Sequence, residues 1–304
     1  MQTNNKILTK NFEKNIFFNE KLSKYSWFNL GGPAKILFKP QNDIQIIKFL
    51  KIIEKDTPIK CLGAGSNTLI RDGGYNGVII KLSPKFSFIN KEEKNILEVG
   101  AATLDKKLSN YALEHSLSGF EFLSCIPGSV GGAIIMNSGC YNNEISQILL
   151  SVKTVDRNGR LKVINADEIK FNYRGTNLPN DLIILSAKFR GNKGEKKKIK
   201  EKVNQFIELK KKTQPSQIKT CGSTFKNPHN EKAWKLIKES NCENLSFGGA
   251  SISKKHNNFF VNNGDATSDD IEKLINTVKE KVYNKKNIKL DLEIKLIGDQ
   301  KIND

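Results

Sequence analysis

The sequence predicts an α+β protein built in two or three parts. Three observations carry this. Helical periodicities and short apolar or alternating runs succeed one another along the whole chain. The pair Asn158-Gly159, set between two apolar runs, marks an antiparallel hairpin. Two glycine-rich stretches, at 63–67 and 127–139, interrupt the pattern where the backbone must turn sharply or come close to something. A length of 304 residues suffices for two domains with cores of their own.

In chain order, residues 1–19 are polar and rich in Lys and Asn, without the apolar centre of a signal peptide. Gly31-Gly32 precede a strand at 34–38. Asp43 is expected to cap a helix whose inward face is Ile44, Ile47, Leu50 and Ile53, widened by Ile46 and Phe49. Strands follow at 58–62 and 77–82. The second block opens with a strand at 96–99. It continues with an amphipathic helix over 103–115 through Leu104, Leu108, Tyr111 and Ala112, and a short helix at 133–136. The hairpin pairs 152–155 with 161–164 across a two-residue turn, and an apolar strand covers 182–189. The Lys-rich run 193–212 reads as a solvated helix with Val203, Phe206, Ile207 and Leu209 inward. After a linker at 214–220 a helix spans 231–239. Ser268 is expected to cap a further helix carrying Ile271, Leu274, Ile275, Val278 and Val282 on one face. Residues 288–297 close the chain as an alternating strand with Glu293 on its polar side.

Composition excludes several classes. No apolar run reaches the ~18 residues a membrane span needs, so no membrane insertion is expected. The five cysteines form no CxxC pair, which suits reduced thiols in a cytoplasm and no metal site. The net charge is +18, yet no nucleic-acid motif is present and the aromatics do not interleave with the lysines. The excess is read as a Lys-rich surface that draws anionic small molecules rather than nucleic acid. Ser223 lacks a GxSxG elbow and the nearest histidine, His229, has no orienting partner in sequence, while His115 near a helix end and His256 in a basic loop read as structural.

The glycine stretches hold the chemistry-bearing positions. Gly63, Ala64, Gly65, Ser66 and Asn67 follow a strand, but Thr68 stands where a dinucleotide fingerprint needs its third glycine. What remains is a nest of N–H groups for an anion, or a structural turn. Pro127, Gly128, Ser129, Gly131 and Gly132, with Gly139 further on, suggest bare backbone approached by a phosphorylated group at a helix start, or a tight turn between two elements. The residues alone leave both open. Arg174 stands beside Tyr173 in a chain that otherwise prefers lysine.

An ordered set of motifs goes further. LGAGSN at 62–67, IPGSVGG at 126–132, MNSG at 136–139, YRG at 173–175, CGSTFKNP at 221–228, GGASIS at 248–253, KHNNFFVN at 255–262, AT at 266–267 and LEIKLIG at 292–298 occur in one order. The chain, from about 23 to 298, resembles the UDP-N-acetylenolpyruvoylglucosamine reductase family, in its compact second class. The resemblance implies a two-subdomain FAD-binding domain of the vanillyl-alcohol-oxidase (PCMH) type over 1–192, its subdomains about 1–85 and 86–192. An α+β substrate-binding domain then spans 193–304. It implies non-covalent FAD held by residues of 63–67 and 127–132 with Gly139, NADPH as reductant, and UDP-N-acetylglucosamine enolpyruvate as substrate. By motif position Arg174 would neutralise an enolate-like intermediate, Glu293 would assist that polarisation, and Ser223 would protonate the adjacent carbon. Tyr173 and Asn227 would hold substrate. Where the family often has a basic residue before Gln-Pro this chain has Thr213, with Lys210, Lys211 and Lys212 upstream as alternatives for the substrate phosphate. A cytoplasmic monomer in peptidoglycan synthesis follows from the same likeness. An FAD oxidase of small alcohols or lactones would share the implied fold but lack the CGSTFKNP and LEIKLIG elements. A basic nucleic-acid-binding protein would carry no flavin.

Overall fold

The computed structural model describes residues 2–93 and 95–301. The chain divides into two compact units, one of residues 1–18, 36–64 and 77–209, the other of residues 19–35, 65–76 and 210–304. Helices and strands mix in both, as an α+β chain requires.

The first unit contains a five-stranded sheet in the order Leu161–Asn165, Leu149–Val155, Ile183–Arg190, Ile96–Gly100, Ile89–Lys91, antiparallel throughout. Ile183–Arg190 is its central strand and is buried without interruption from Ile183 to Ala187, which explains an apolar run without alternation. The hairpin turn differs from the two-residue expectation. Asp156 donates its N–H to Arg160 O (3.0 Å) and Gly159 donates to Asp156 O (2.9 Å), so residues 157–159 close a three-residue loop. The Asp156 carboxylate accepts the N–H groups of Asn158 (2.8 Å) and Arg160 (2.9 Å), and Gly159 takes the left-handed conformation (φ 77°). An aspartate that bonds its own turn outcompetes the shorter loop. Against this sheet pack Leu97, Val99, Leu108, Phe122, Val130, Ile134, Val152 and Phe189.

A second core of this unit centres on Phe12, Phe38 and Phe49, with ring centroids 5.1, 5.8 and 4.2 Å apart. The helix Asp43–Ile52 is capped by Asn42, whose side chain accepts the Gln45 N–H (2.9 Å), not by Asp43. Its buried face is Ile46, Phe49 and Leu50, while Ile44 is exposed. Likewise Leu104 precedes the helix Asp105–Glu114 as its N-cap and is exposed. In the Lys-rich helix Lys196–Thr213, Ile199, Val203 and Phe206 are buried, and Phe206 stacks on Tyr141 at 4.8 Å. Leu209 is exposed, against the sequence expectation.

The second unit is organised by the helix Ser268–Lys286. Thr267, one residue before the expected Ser268, is its cap: Thr267 Oγ1 accepts from Asp270 N (3.1 Å) and Asp270 Oδ2 accepts from Thr267 N (2.9 Å). That reciprocal box satisfies two orphan donors. Ser268 is engaged elsewhere, exchanging bonds with Asp72: Ser268 N–H to Asp72 Oδ2 (2.8 Å) and Asp72 N–H to Ser268 Oγ (2.9 Å). Ile271, Leu274, Ile275, Val278 and Val282 face inward onto Phe225, Leu236, Ile237 and Phe260. The three-stranded antiparallel sheet Ser246–Phe247, Ala250–Ile252, Phe260–Asn262 packs in the same core. The expected strand at 288–297 is real only at Lys295–Ile297, parallel to Thr68–Ile70 with Leu296 opposite Leu69. Before it Leu292 makes one bridge to Phe225, and Glu293 and Ile294 form a bend.

Arg71 ties the same helix to the turn after Thr68–Ile70. Its Nε and Nη2 each donate to a Glu272 carboxylate oxygen at 2.8 Å, and the bond to Glu272 raises the Arg71 pKa further. A two-pronged grip of this kind needs a planar fork. Arg71→Lys is therefore expected to lower unfolding free energy by about 1–2 kcal/mol, since one charge-assisted bond is lost and one kept. Denaturant melts of the two proteins measure it, and an unchanged midpoint would refute the bidentate role.

Candidate active site

In the first unit the segment 127–132 runs between the turn Glu121–Cys125 and the helix Val130–Ile135. The helix begins three residues earlier than the sequence suggested, and this changes which donors are available. Val130 donates its N–H to Thr103 O and Gly131 to Ala101 O, both at 2.9 Å. The helix start is thus stitched to the protein, not aimed at an anion. Among the described residues, it is the N–H groups of Gly128, Ser129 and Gly132 that have no acceptor. Pro127, just ahead, has no N–H to offer. Gly128 must be glycine for a local reason: an added Cβ would lie 2.6 Å from Asp105 Oδ2. A Cβ on Gly131 would press to 3.2 Å on the Ala101 Cβ.

Gly63 and Ala64 end the stretch of this unit that follows the strand Ile59–Cys61. A Cβ on Gly63 would stand 2.6 Å from Ser129 Oγ, so the fold brings Gly63 and the 127–132 segment together within one unit. Lys81 donates from Nζ to the Gly63 carbonyl (2.6 Å), and burial pulls its pKa below the ordinary lysine value. Among the described residues the N–H groups of Gly63 and Ala64 have no acceptor.

Tyr173 and Arg174 occupy the two-residue turn of a small hairpin, with Asn172 paired to Gly175. Arg174 is left-handed there (φ 59°), a strained state for a residue with a side chain. Its guanidinium lies 4.8 Å from the Tyr173 ring centroid and donates from Nη2 to the Gly139 carbonyl (2.8 Å). Gly139 sits in a second hairpin, where a Cβ would meet Asn143 O at 2.3 Å. Its bare backbone lets that hairpin close, and its carbonyl anchors Arg174.

In the second unit Gly65, Ser66 and Asn67 likewise have N–H groups without an acceptor among the described residues. Gly65 is left-handed (φ 71°), and a Cβ there would lie 1.9 Å from Tyr25 O. Its own carbonyl accepts from Trp27 N (3.0 Å). Asn67 turns its side-chain amide to the Glu293 carbonyl (3.0 Å). Ser223 follows left-handed Gly222 and bridges Phe259. The next residues run antiparallel to the chain end: Glu293 donates its N–H to Thr224 O (2.9 Å) and Lys226 to Asp291 O (2.8 Å). So Ser223 and Glu293 come onto adjoining segments of one unit. Asn227 accepts from Ala233 N (3.0 Å), which secures the start of the helix Ala233–Glu239.

The family models match in the same places. The C-terminal domain of UDP-N-acetylenolpyruvoylglucosamine reductase matches residues 214–297, and an FAD binding domain matches residues 34–165. The chain is 47% identical to the reductase of that name from Pelagibacter ubique over 93% of this chain and 94% of the relative. It is 43% identical to the one from Rickettsia bellii over 91% and 92% of the two chains. The chain belongs to the UDP-N-acetylenolpyruvoylglucosamine reductase family. The crystal structure of the Thermus caldophilus reductase superposes with a TM-score of 0.81 at 31% identity, covering 93% of this chain and 98% of that one.

As a member of the family the chain has an FAD-binding domain of PCMH type and a reductase C-terminal domain. The residues present fit FAD on a structural ground: unpaired main-chain donors at glycines without room for side chains suit phosphate oxygens. Among the described residues no cluster of His, Cys, Asp or Glu is placed to hold a metal ion. The sequence reading missed four residues. Lys81 looked like any lysine after a strand. Asn258 accepts from Phe225 N (2.9 Å), donates to Phe225 O (2.8 Å) and offers its carbonyl to Thr224 N (2.8 Å), so it holds the segment that carries Ser223. Its signal was the KHNNFFVN motif, where it was one of three asparagines. Cys221, buried, donates from Sγ to Thr68 O (3.3 Å), and burial pushes its pKa up to about 11. It is a packed thiol and not a nucleophile.

Asp105 is the fourth. It is fully buried, neither carboxylate oxygen has a partner, and burial raises its pKa well above the ordinary value. The folded protein thus keeps a proton that the unfolded chain releases, and stability falls as pH rises from about 4, the ordinary carboxylate value, toward the raised folded value. Asp105→Asn removes the titration. Its unfolding free energy, from denaturant melts across pH, is expected to lose the part of the pH slope that one proton supplies, at most about 1.4 kcal/mol per pH unit, and to exceed wild type at pH 8. Identical slopes for the two proteins between pH 5 and 8 would show that Asp105 is charged when folded.

Proposed function

We infer that this chain reduces UDP-N-acetylglucosamine enolpyruvate to UDP-N-acetylmuramate in peptidoglycan synthesis, with FAD as tightly but non-covalently held carrier and NADPH as reductant. The observation that carries the reading is the pairing of Glu293 with Thr224. It sets the family's candidate carboxylate and the candidate proton donor Ser223 on neighbouring segments of one small unit.

When bound, FAD supplies hydride transfer between NADPH and the enolpyruvyl carbon. The chain's residues then have separate tasks. The N–H groups of Gly63, Ala64, Gly65, Ser66, Asn67, Gly128, Ser129 and Gly132 hold the pyrophosphate and its neighbouring chain. Pro127, Gly131 and Gly139 shape the seat: Pro127 fixes its own φ, Gly131 packs on Ala101, and Gly139 closes its hairpin and anchors Arg174 by its carbonyl. Arg174 neutralises the charge that develops on the substrate carboxylate. Its planar fork is held by Gly139 and Tyr173, and it is already in place before charge appears, so little is lost to reorganisation. Glu293 polarises the same carboxylate and shares its proton. Ser223 protonates the carbon next to it. A serine hydroxyl is a weak acid, and it serves only because the carbanion-like species it meets is strongly basic. Tyr173 and Asn227 orient the substrate, and a lysine among Lys210, Lys211 and Lys212 meets its phosphate. In this reading residues 1–192 serve FAD and 193–304 serve the substrate. The enzyme works as a monomer in the cytoplasm; no helix among the described residues is long and apolar enough to cross a membrane. Both NADPH and the UDP-sugar are anionic, and a chain of net charge +18 draws them in.

Two measurements test this. Acid precipitation of the yellow protein is expected to release all the flavin to the supernatant; colour kept in the pellet means a covalent link. Anaerobic stopped-flow then separates the half-reactions. In Ser223→Ala, NADPH is expected to bleach the flavin at close to the normal rate, while recovery of colour with substrate slows by about 10²–10⁴-fold. Equal losses in both halves would remove Ser223 from the proton-donor role. Arg174→Lys is expected to slow recovery as well, because an ammonium cannot grip a carboxylate at two points.

A further inference from the structure

Glu293 does not stand on a regular strand. It lies in a bend between Leu292, which makes one bridge to Phe225, and the strand Lys295–Ile297. A ladder would fix the direction of its side chain through many equivalent bonds. In a bend, the peptide bonds on either side must be held one by one. On one side the Glu293 N–H donates to Thr224 O (2.9 Å). On the other the Glu293 carbonyl accepts from the Asn67 side-chain amide (3.0 Å). Two residues on, the Lys295 N–H donates to the Asn67 main-chain carbonyl (2.9 Å), and the parallel pairing with Thr68–Ile70 continues from there. Asn67 therefore grips the Glu293 segment twice, once with its side chain and once with its backbone. Only the first bond depends on its being asparagine.

We propose that Asn67 is a positioning residue for Glu293: its side-chain amide sets the orientation of the Glu293 peptide, and through it the aim of the Glu293 carboxyl. The proposal rests on the reading of Glu293 as the group that polarises the substrate. Asparagine suits the task chemically. A carboxamide donates to a carbonyl without carrying charge, so the contact does not disturb an anion held by the N–H groups of the same loop. An aspartate in its place would set two acceptors face to face, and an alanine would leave the Glu293 carbonyl without its partner. Asn67 then has two duties in two directions, its main-chain N–H toward a bound anion and its side chain toward the catalytic bend.

A double-mutant cycle on the second half-reaction tests this, using flavin-saturated, NADPH-reduced enzyme and UDP-N-acetylglucosamine enolpyruvate. Asn67→Ala is expected to slow flavin recovery by about 10–100-fold, the cost of a misplacement of the order of an ångström. The first half-reaction does not use Glu293, so it is expected to lose clearly less than the second; a loss shared equally by both halves would report on the FAD seat, to which Asn67 lends its main-chain N–H, and would overturn the proposal. In the Glu293→Gln background, adding Asn67→Ala should change the rate by no more than about twofold, since there is no longer a carboxyl to misplace. The pH profile of recovery should shift in Asn67→Ala and lose its Glu293-dependent limb in both Glu293→Gln proteins. Asn67→Ser, whose short hydroxyl does not span the distance, runs through the same cycle so that poor folding or flavin loss in one variant does not decide the outcome. Single effects that multiply in the double variant, or Asn67 variants that recover at the wild-type rate while Glu293→Gln is slow, would overturn the proposal alone. A wild-type rate in Glu293→Gln would instead overturn the assignment of Glu293, and the proposal with it.

Discussion

Five successive main-chain N–H groups, from Gly63 to Asn67, have no acceptor among the described residues, and a backbone donor kept from both protein and water costs roughly 1–3 kcal/mol. Folded proteins do not leave such runs unpaired without a reason. The stretch is half-exposed apart from Gly65, so its donors are open to solvent or to a ligand. At its two glycines an added side chain would collide with the protein: a Cβ at Gly63 would meet Ser129 Oγ and one at Gly65 would meet the Tyr25 carbonyl. The two residues with hydroxyl or amide side chains, Ser66 and Asn67, come last, where the loop turns into the strand Thr68–Ile70. Neutral donors of this kind suit phosphate oxygens, which is the ground on which the proposed reading gives them to FAD. The sites for chemistry are then arranged by how each unit resolves its own backbone accounting.

In the second unit that accounting falls to asparagines. Asn67, Asn258 and Asn262 each bond to the main chain of distant segments, at Glu293, Phe225 and Phe28. Irregular backbone cannot satisfy itself as a ladder does, and a carboxamide, donor and acceptor at once, replaces a missing strand. Ser223 and Glu293 both lie on such irregular stretches, beside Gly222 and in the bend at 293–294. Amide side chains hold both stretches, Asn258 the one that carries Ser223 and Asn67 the one that carries Glu293. In the first unit the strain is carried by Arg174 itself. A left-handed arginine is held because the hairpin 171–176, the Tyr173 ring and the Gly139 carbonyl all fix it.

Asp105 shows a different balance. Its carboxyl fills the space that a Cβ of Gly128 would take, at the cost of a buried group with no partner, resolved by keeping a proton. Lys81 resolves the opposite case by donating to the Gly63 carbonyl. Both serve the loops from behind.

The sequence by itself determined the class, the order of most elements and the family, because these depend on local patterns: periodicity, glycine placement, and motifs read in a row. The central strand Ile183–Arg190 and the helix Ser268–Lys286 were legible within a residue or two, since long apolar stripes survive small errors of register. Caps were displaced by one residue, to Asn42 and Thr267, because neighbouring polar residues compete for the same donors and only geometry chooses between them. The alternation at 288–297 promised a strand, but Phe225 and Asn67 pair with it at separate points and leave Glu293 in a bend. Tertiary structure alone decided that Val130 and Gly131 spend their N–H groups on Thr103 and Ala101, and that Asn67 reaches Glu293 across 226 positions of chain. The physical reason is the same in each case. A pattern shows which groups a segment exposes, but a hydrogen bond is chosen by distance in space, and no spacing along the chain encodes it.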